Sequence, residues 1–144
     1  MISAQEAKEK ASAGWFDAWI AFEGLAVDSD AIKVALEKLV NQLDSDPKIK
    51  IYEKKFLEPK RVEHPIKGVK EAWSQVANLR IVVKSFRELA ELVIEYGPSA
   101  VEIVGPSKSN LQMGEAQDIL NNIGGMMHRF ADAGIGGTVV VRSK

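Results

Sequence analysis

The chain has 144 residues, no cysteine and a net charge of −1, with 46% hydrophobic and 27% charged residues. This length and composition favour one globular domain with a sizeable core and argue against disorder. The absence of cysteine excludes a disulfide framework, a thiolate metal site and a cysteine nucleophile, and it favours a reducing, cytoplasmic location. No apolar run reaches the roughly 20 residues needed to cross a bilayer, so we expect a soluble protein without membrane contact.

The charge is distributed unevenly along the chain. Residues 1–47 carry a net charge of −5, residues 48–87 carry +7, and residues 88–144 carry −3. A basic middle between acidic flanks can attract an anionic partner. Alternatively, the three segments fold together and neutralise one another on a mixed surface, which the near-zero total charge favours.

The N-terminal part predicts a helix followed by a strand. Ser3 and Glu6 form a capping box for a helix over residues 3–13, but its apolar stripe is thin, so we expect residues 1–14 to dock weakly. Residues 15–24 alternate as a strand with one wholly apolar face and one mixed face.

The next elements form a strongly patterned helix between strands. Asp28 supplies a capping side chain for a helix whose apolar residues recur at helical spacing as far as Leu43. Residues 48–56 alternate as a strand, and residues 58–68 are interpreted as a charged loop. Residues 73–84 then form a second long strand.

A second strand–helix–strand unit follows. Ser85 and Glu88 form a capping box, and Gly97-Pro98 stops the helix that they begin. Residues 100–104 are predicted as a short strand.

The C-terminal part predicts one more helix and strand. After a turn at residues 105–110, a long helix spans residues 111–133, and residues 138–142 form a last strand. Gly124-Gly125 lies inside the long helix, where glycine is costly, so we expect close packing, a kink or a break there. The glycines in residues 134–137 precede a strand rather than follow one, which is the wrong context for dinucleotide binding.

The order of elements is a helix, two β-α-β units, and a helix plus strand. It predicts a single α+β domain over residues 1–144. The expected architecture is a ferredoxin-like antiparallel sheet (β-α-β, β-α-β) with an added N-terminal helix and a C-terminal helix plus strand. Many unrelated functions share this architecture, so it indicates none of them.

The sheet face away from the two crossover helices combines aromatic rings with cations. In ferredoxin-like order the first and third strands are neighbours, so the aromatic and basic side chains that these strands place on this face converge. Rings can stack on nucleic-acid bases while cations pair with phosphates. Alternatively the 111–133 helix, the N-terminal helix or a second subunit covers this face, which we favour because two exposed tryptophans are unusual in a monomer. The ligand or partner surface is Trp15, Trp19, Lys50, Tyr52, Lys54, Arg80 and Lys84.

A second candidate site is the turn before the long helix. A helix N-terminus attracts anions, and here hydroxyls and a lysine accompany it. The glycine that a Walker loop requires before its lysine is missing. Capping by Ser109 or Asn110 is the alternative that we favour. The anion-binding candidates are Ser107, Lys108, Ser109 and Asn110.

Catalytic and metal-binding patterns are absent from the sequence. The two histidines, His64 and His128, are far apart along the chain and form no ligand motif, so we expect no metal site and no cofactor. No nucleophile motif is present either.

Three functional hypotheses follow. The leading one is a non-enzymatic binding or protein-interaction module that self-associates as a homo-oligomer through a sheet face or edge. The second is RNA or single-stranded nucleic-acid binding through the aromatic and basic face. The third is an enzyme or sensor for a small anionic metabolite at the 105–110 turn.

Overall fold

The computed structural model of the chain describes residues 1–133. These residues form an α+β fold, as predicted, while the glycine turn at 134–137 and the strand expected at 138–142 lie outside the described range. The elements are α1 (Ala4–Ser12), β1 (Phe16–Ala26), α2 (Ser29–Ser45), β2 (Ile49–Phe56), β3 (Lys60–Glu63), β4 (Glu71–Val83), α3 (Phe86–Tyr96), β5 (Ala100–Gly105) and α4 (Met113–Asp132).

The first three helices begin at the capping residues that the sequence predicted. Ser3 and Glu6 form the complete capping box at the start of α1. The Asp28 side chain accepts a hydrogen bond from a backbone N–H of α2, and the Ser85 hydroxyl does the same for α3. Gly97 ends α3 in the left-handed region, with φ of 60°, where a residue without a Cβ is favoured. These short-range signals therefore set the helix starts locally.

The five strands form one antiparallel sheet in the order β2-β4-β1-β5, with β3 paired to the first part of β4. The β1–β4 ladder runs unbroken from the pair Phe16 and Val83 to the pair Ala26 and Trp73. Helices α2 and α3 pack on one face, where alternate strand residues form the core. The buried core residues are Phe16, Ala18, Ile20, Phe22, Ile32, Leu36, Val40, Leu43, Ile49, Ile51, Ala77, Leu79, Ile81, Val83, Leu89 and Leu92.

The prediction of a simple loop at residues 58–68 is wrong, because β3 forms inside it. This four-residue strand pairs with β4, and an ion pair between Arg61 and Glu71 links the two strands. The segment lacks the apolar alternation that identifies strands in a sequence. It is recruited because β4 extends beyond the end of β2 and offers a further stretch of strand edge.

Helix α4 differs from its prediction in two places. Its first helical residue is Met113, and the N-cap residue is Gln112, whose side chain makes no capping hydrogen bond. The predicted capping by Ser109 or Asn110 is therefore wrong. The helix continues through Gly124 and Gly125 without a break. Among residues 1–133, nothing lies within 4 Å of a Cβ built at Gly124, so close packing within this range does not explain that glycine.

Helix α4 packs against α3, and an ion pair of 3.3 Å joins Arg87 of α3 to Asp118 of α4. It therefore extends the helical layer sideways instead of covering the opposite face of the sheet. That opposite face is partly covered by α1, which contacts β1, β2 and β4 and buries Ala7. Val82 is fully buried there although it faces away from α2 and α3. None of the described helices combines the length and apolarity needed to span a bilayer.

Truncation of Leu43 tests this placement of the core. Leu43 is fully buried on α2, so Leu43→Ala should lower the free energy of unfolding by about 3 kcal/mol through lost burial and a residual cavity. Urea denaturation followed by circular dichroism measures the change.

Val34→Ala provides the control on the same helix, because Val34 is 64% exposed. Its effect should stay within about 0.5 kcal/mol. Equal losses for the two variants would contradict the described orientation of α2.

Candidate functional site

The surface predicted to bind a partner lies on the sheet face away from α2 and α3, which we call the second face. The β1–β4 register places Trp19 opposite Arg80, and β5 places Glu102 on the other side of Trp19. Because side chains alternate along a strand, Asp17, Trp19 and Arg80 project from the same face. The predicted convergence of β1 and β4 side chains is therefore present in the structure.

A β-bulge in β2 changes the predicted membership of the second face. The pairing with β4 shifts between Ile51 and Glu53, so Glu53 lies opposite Arg80 and Lys54 lies opposite the core residue Leu79. Lys54 is therefore out of the alternation that it was predicted to share with Lys50 and Tyr52, although it is exposed and lines the same open groove as Trp19. A bulge adds one residue to a strand and reverses the alternation beyond it. A sequence pattern that assumes strict alternation along β2 could not reveal the bulge.

Three side chains on the second face form a hydrogen-bonded cluster. The Tyr52 hydroxyl donates a hydrogen bond of 2.6 Å to Asp17 Oδ1, and Arg80 Nη2 lies 3.2 Å from Asp17 Oδ2. The Arg80 guanidinium also lies over the Tyr52 ring, 5.3 Å from its centroid. Arg80, which the sequence offered as a free cation, is therefore already paired with a carboxylate and an aromatic ring.

The environment of this cluster perturbs Tyr52. Burial, followed by the hydrogen bond to Asp17 and the negative charge of Asp17, raises the pKa of Tyr52 from 10.0 to about 12, while Arg80 acts in the opposite direction. The phenol therefore stays protonated at neutral pH and serves as a hydrogen-bond donor.

The two tryptophans of the predicted surface have different surroundings. Lys10 of α1 places its ammonium 4.4 Å from the ring centroid of Trp15, so one face of that ring is occupied. Trp19 is partly buried and lines an open groove of about 410 Å³. The other residues of this groove are Glu53, Lys54, Lys55, Asn78, Leu79 and Arg80. The structure thus places Trp19 beside an open space, while Lys10 covers one face of the Trp15 ring.

The remaining predicted residues take more peripheral positions. Lys50 is partly buried opposite Val82, close to the end covered by α1, and Lys84 is exposed just beyond the end of β4. The sequence analysis missed Glu53 and Lys55, because only the bulge turns them to the second face. It also missed Glu102, whose position depends on the β1–β5 register.

The predicted anion site lies elsewhere, at the start of α4. Ser107, Lys108, Ser109 and Asn110 are all exposed and precede the first helical residue, Met113, by three or more positions. Helix α4 therefore receives no side-chain cap from this turn. Anion binding by Lys108 and the serines remains a prediction.

The histidines are likewise dispersed. His64, in a left-handed conformation with φ of 51°, occupies the turn after β3, whereas His128 is exposed on α4. Among residues 1–133, no group of three His, Asp or Glu side chains is arranged to hold a metal ion.

The Asp17–Tyr52 hydrogen bond can be tested by tyrosine titration. Asp17→Asn should lower the pKa of Tyr52 from about 12, because it removes the anion that accepts the hydroxyl proton and disfavours the phenolate. Residual burial should keep that pKa above 10. Absorbance of tyrosinate against pH measures both tyrosines of the chain.

Asp46→Asn is the matched control, since Asp46 accepts a hydrogen bond of 3.3 Å from Tyr96 and contributes to its raised pKa. It should move only the Tyr96 titration. Because the folded pKa of Tyr52 exceeds its unfolded value of about 10, its contribution to stability is complete below pH about 10 and is lost as the pH rises through about 12. Titration of both wild-type tyrosines near pH 10 would contradict the cluster.

Comparison with known protein families matches residues 17–144 to the MJ0538 family. The match begins within β1 and includes every later element, so α1 alone lies before it. No curated protein and no solved structure shows significant similarity to the chain. The family description names no activity, ligand or partner. Because the match covers most of its length, the chain belongs to the MJ0538 family.

Proposed function

We propose that this domain is a non-enzymatic protein-interaction module in which two copies associate through the second face around Trp19. The single observation that carries the proposal is the position of Trp19, partly buried beside an open groove of about 410 Å³. Tryptophan is among the residues that contribute most to binding when a partner excludes water from them. A solvent-accessible tryptophan at the centre of a sheet face therefore supports an interface there.

The charges around Trp19 support a second copy as the partner. Lys55 and Arg80 line the groove together with Glu53, and Glu102 lies opposite Trp19 on β5. A surface that carries both signs of charge can be complementary to itself. In a twofold dimer the same patch meets its own copy, so the cations of one subunit can meet the carboxylates of the other.

The same charges weaken the nucleic-acid alternative. A site for single-stranded RNA or DNA combines exposed rings with cations that are free to neutralise phosphates. Here Asp17 neutralises Arg80, and Glu53 lies opposite Arg80 in the ladder. Carboxylates interleaved with cations disfavour a polyanion and favour a protein surface.

The strand order supports the ferredoxin-like assignment within this proposal. The four long strands follow the order β2-β4-β1-β5, with antiparallel neighbours, and helices α2 and α3 connect β1 to β2 and β4 to β5. The two β-α-β units are thereby interleaved, with β1 and β4 in the centre. The second face of such a sheet is free of crossover helices and can serve as a docking surface.

Self-association is tested by sedimentation equilibrium of the wild-type chain and of Trp19→Ala. Loss of the central indole should weaken the dimer by about 2 kcal/mol, which is roughly 30-fold in the dissociation constant. Val34→Ala is the control, because Val34 is exposed on α2 in the opposite layer, and it should leave the dissociation constant unchanged.

Two results would reject the proposal. One is a wild-type chain that remains monomeric at the highest concentration reached. The other is a dimer that Trp19→Ala leaves as tight as before. Tryptophan quenching by a single-stranded oligonucleotide, falling steeply with added salt, would instead favour the nucleic-acid function.

A further inference from the structure

The interface proposed around Trp19 needs more surface than its groove supplies. Seven residues line that groove, whereas a stable interface uses about 20–30 residues of each partner. Helix α1 already covers one end of the second face, where Val82 is fully buried. A larger interface must therefore extend along β1 in the other direction, away from α1.

The half of the second face away from α1 contains another groove, of about 480 Å³, which we call the far groove. Its lining includes Leu25 of β1, Ser74 of β4, Val62 of β3 and Pro65 just after β3. Leu25 is 49% exposed. Ser74 donates a hydrogen bond of 2.9 Å to Glu23, which also lines the groove. The far groove thus combines apolar walls with a carboxylate acceptor.

We propose that the two copies of the dimer stack head to tail on their second faces, so that Trp19 of each copy packs into the far groove of the other. This arrangement rests on the proposed function and specifies the geometry of the same interface. The far groove suits an indole, because its apolar walls accept the ring and Glu23 offers an acceptor for the ring N–H.

The position of α1 disfavours the opposite arrangement, in which the covered ends of the two faces meet. Both α1 helices would then lie between the sheets. A helix is about 10 Å thick, so two of them need about 20 Å, whereas packed sheets lie about 10 Å apart. When the twofold axis runs across the strands, α1 of each copy lies beyond the far end of the other sheet. The two sheets can then approach each other.

The strand registers define two rows of side chains that a head-to-tail dimer brings together. In the near row, Trp19 of β1 and Glu53 of β2 both lie opposite Arg80. In the far row, Leu25 of β1 and Lys60 of β3 both lie opposite the serine of the far groove. Directly opposed residues of antiparallel strands share a face, so both rows project from the second face.

Stacking the near row of one copy on the far row of the other gives complementary contacts. An axis that runs across the strands keeps each strand over its own copy, so Trp19 meets the partner's Leu25. On the other side of β4, Glu53 meets the partner's Lys60, and a carboxylate faces an ammonium. Within one copy, Glu53 and Lys60 lie opposite positions 80 and 74 of β4, roughly 20 Å apart. An ion pair between them therefore requires two copies.

Charge reversal in the full-length chain tests the head-to-tail arrangement. Glu53→Lys and Lys60→Glu each place like charges across the interface twice, so each should weaken the dimer about tenfold at low ionic strength. The double variant restores opposite charges and should return to within about threefold of the wild-type dissociation constant. Sedimentation equilibrium measures these constants. In a mixture of the two single variants, native mass spectrometry should show heterodimers in preference to either homodimer.

Glu37→Lys and Lys38→Glu are the matched controls, because both residues are exposed on α2 in the opposite layer. They make the same changes in net charge and should leave the dissociation constant unchanged. Reversals at positions 53 and 60 that act no more strongly than these controls would overturn the head-to-tail arrangement. A double variant that stays as weak as the single variants would overturn it as well.

Truncation of Leu25 gives a second measurement, which does not involve charge. Leu25→Ala should weaken the dimer about fivefold. Combined with Trp19→Ala, it should weaken the dimer by less than the product of the two single effects, because the two side chains contact each other. Leu120→Ala is the matched control, since Leu120 is 67% exposed on α4, and it should have no effect. Fully multiplicative effects of the two truncations would contradict the contact.

The outcomes distinguish the head-to-tail arrangement from the dimer itself. A dimer that Trp19→Ala weakens, but that the Leu25 and charge-reversal variants leave unchanged, would reject head-to-tail stacking and retain the Trp19 interface. A wild-type chain that remains monomeric at the highest concentration reached would reject both.

Discussion

The pairing of β1 with β4 is the constraint on which the other features of this molecule depend. Eleven consecutive residue pairs join the two strands, from Phe16 and Val83 to Ala26 and Trp73. Because side chains alternate, this one register assigns Ile20 and Leu79 to the helical core and Trp19 to the second face. A shift by one residue would exchange the two sets and expose the entire apolar face. The buried side chains of α2 and α3 therefore stabilise the register and the second face together.

Asp17 determines which charges the second face presents. Without it, Tyr52 and Arg80 would offer a ring and a free cation, which is the chemistry of a nucleic-acid platform. With it, both groups are held in one hydrogen-bonded cluster. The bulge in β2 has a related effect, since it brings Glu53 rather than Lys54 opposite Arg80. The face consequently carries a mixture of charges around Trp19, which supports the protein partner that we propose over a polyanion.

The helical layer is extended sideways, and the two faces of the sheet are covered unequally. Three helices, α2, α3 and α4, occupy one side of the described structure, while only α1 lies on the other. Exposed apolar side chains of α4 are therefore located near the β5 edge, not over the tryptophans. The second face and the β5 edge are distinct surfaces, one mixed in charge and one apolar.

The sequence by itself determined the elements whose signals lie within a few residues. Asp28, Ser85 and Gly97 supply the backbone partners or conformations that helix ends require, and the apolar period of α2 identified its buried side. Only the tertiary structure decided the bulge in β2, the recruitment of β3, the start of α4 at Met113 and the position of α1 on the second face. Each of these depends on contacts between segments distant along the chain. A bulge or a short edge strand forms when a neighbouring strand offers backbone groups to pair, and that neighbour is not visible in the local pattern. The sequence therefore predicted a surface that includes Trp19, but the charges that surround Trp19, and hence the partner that we propose for it, depended on the register.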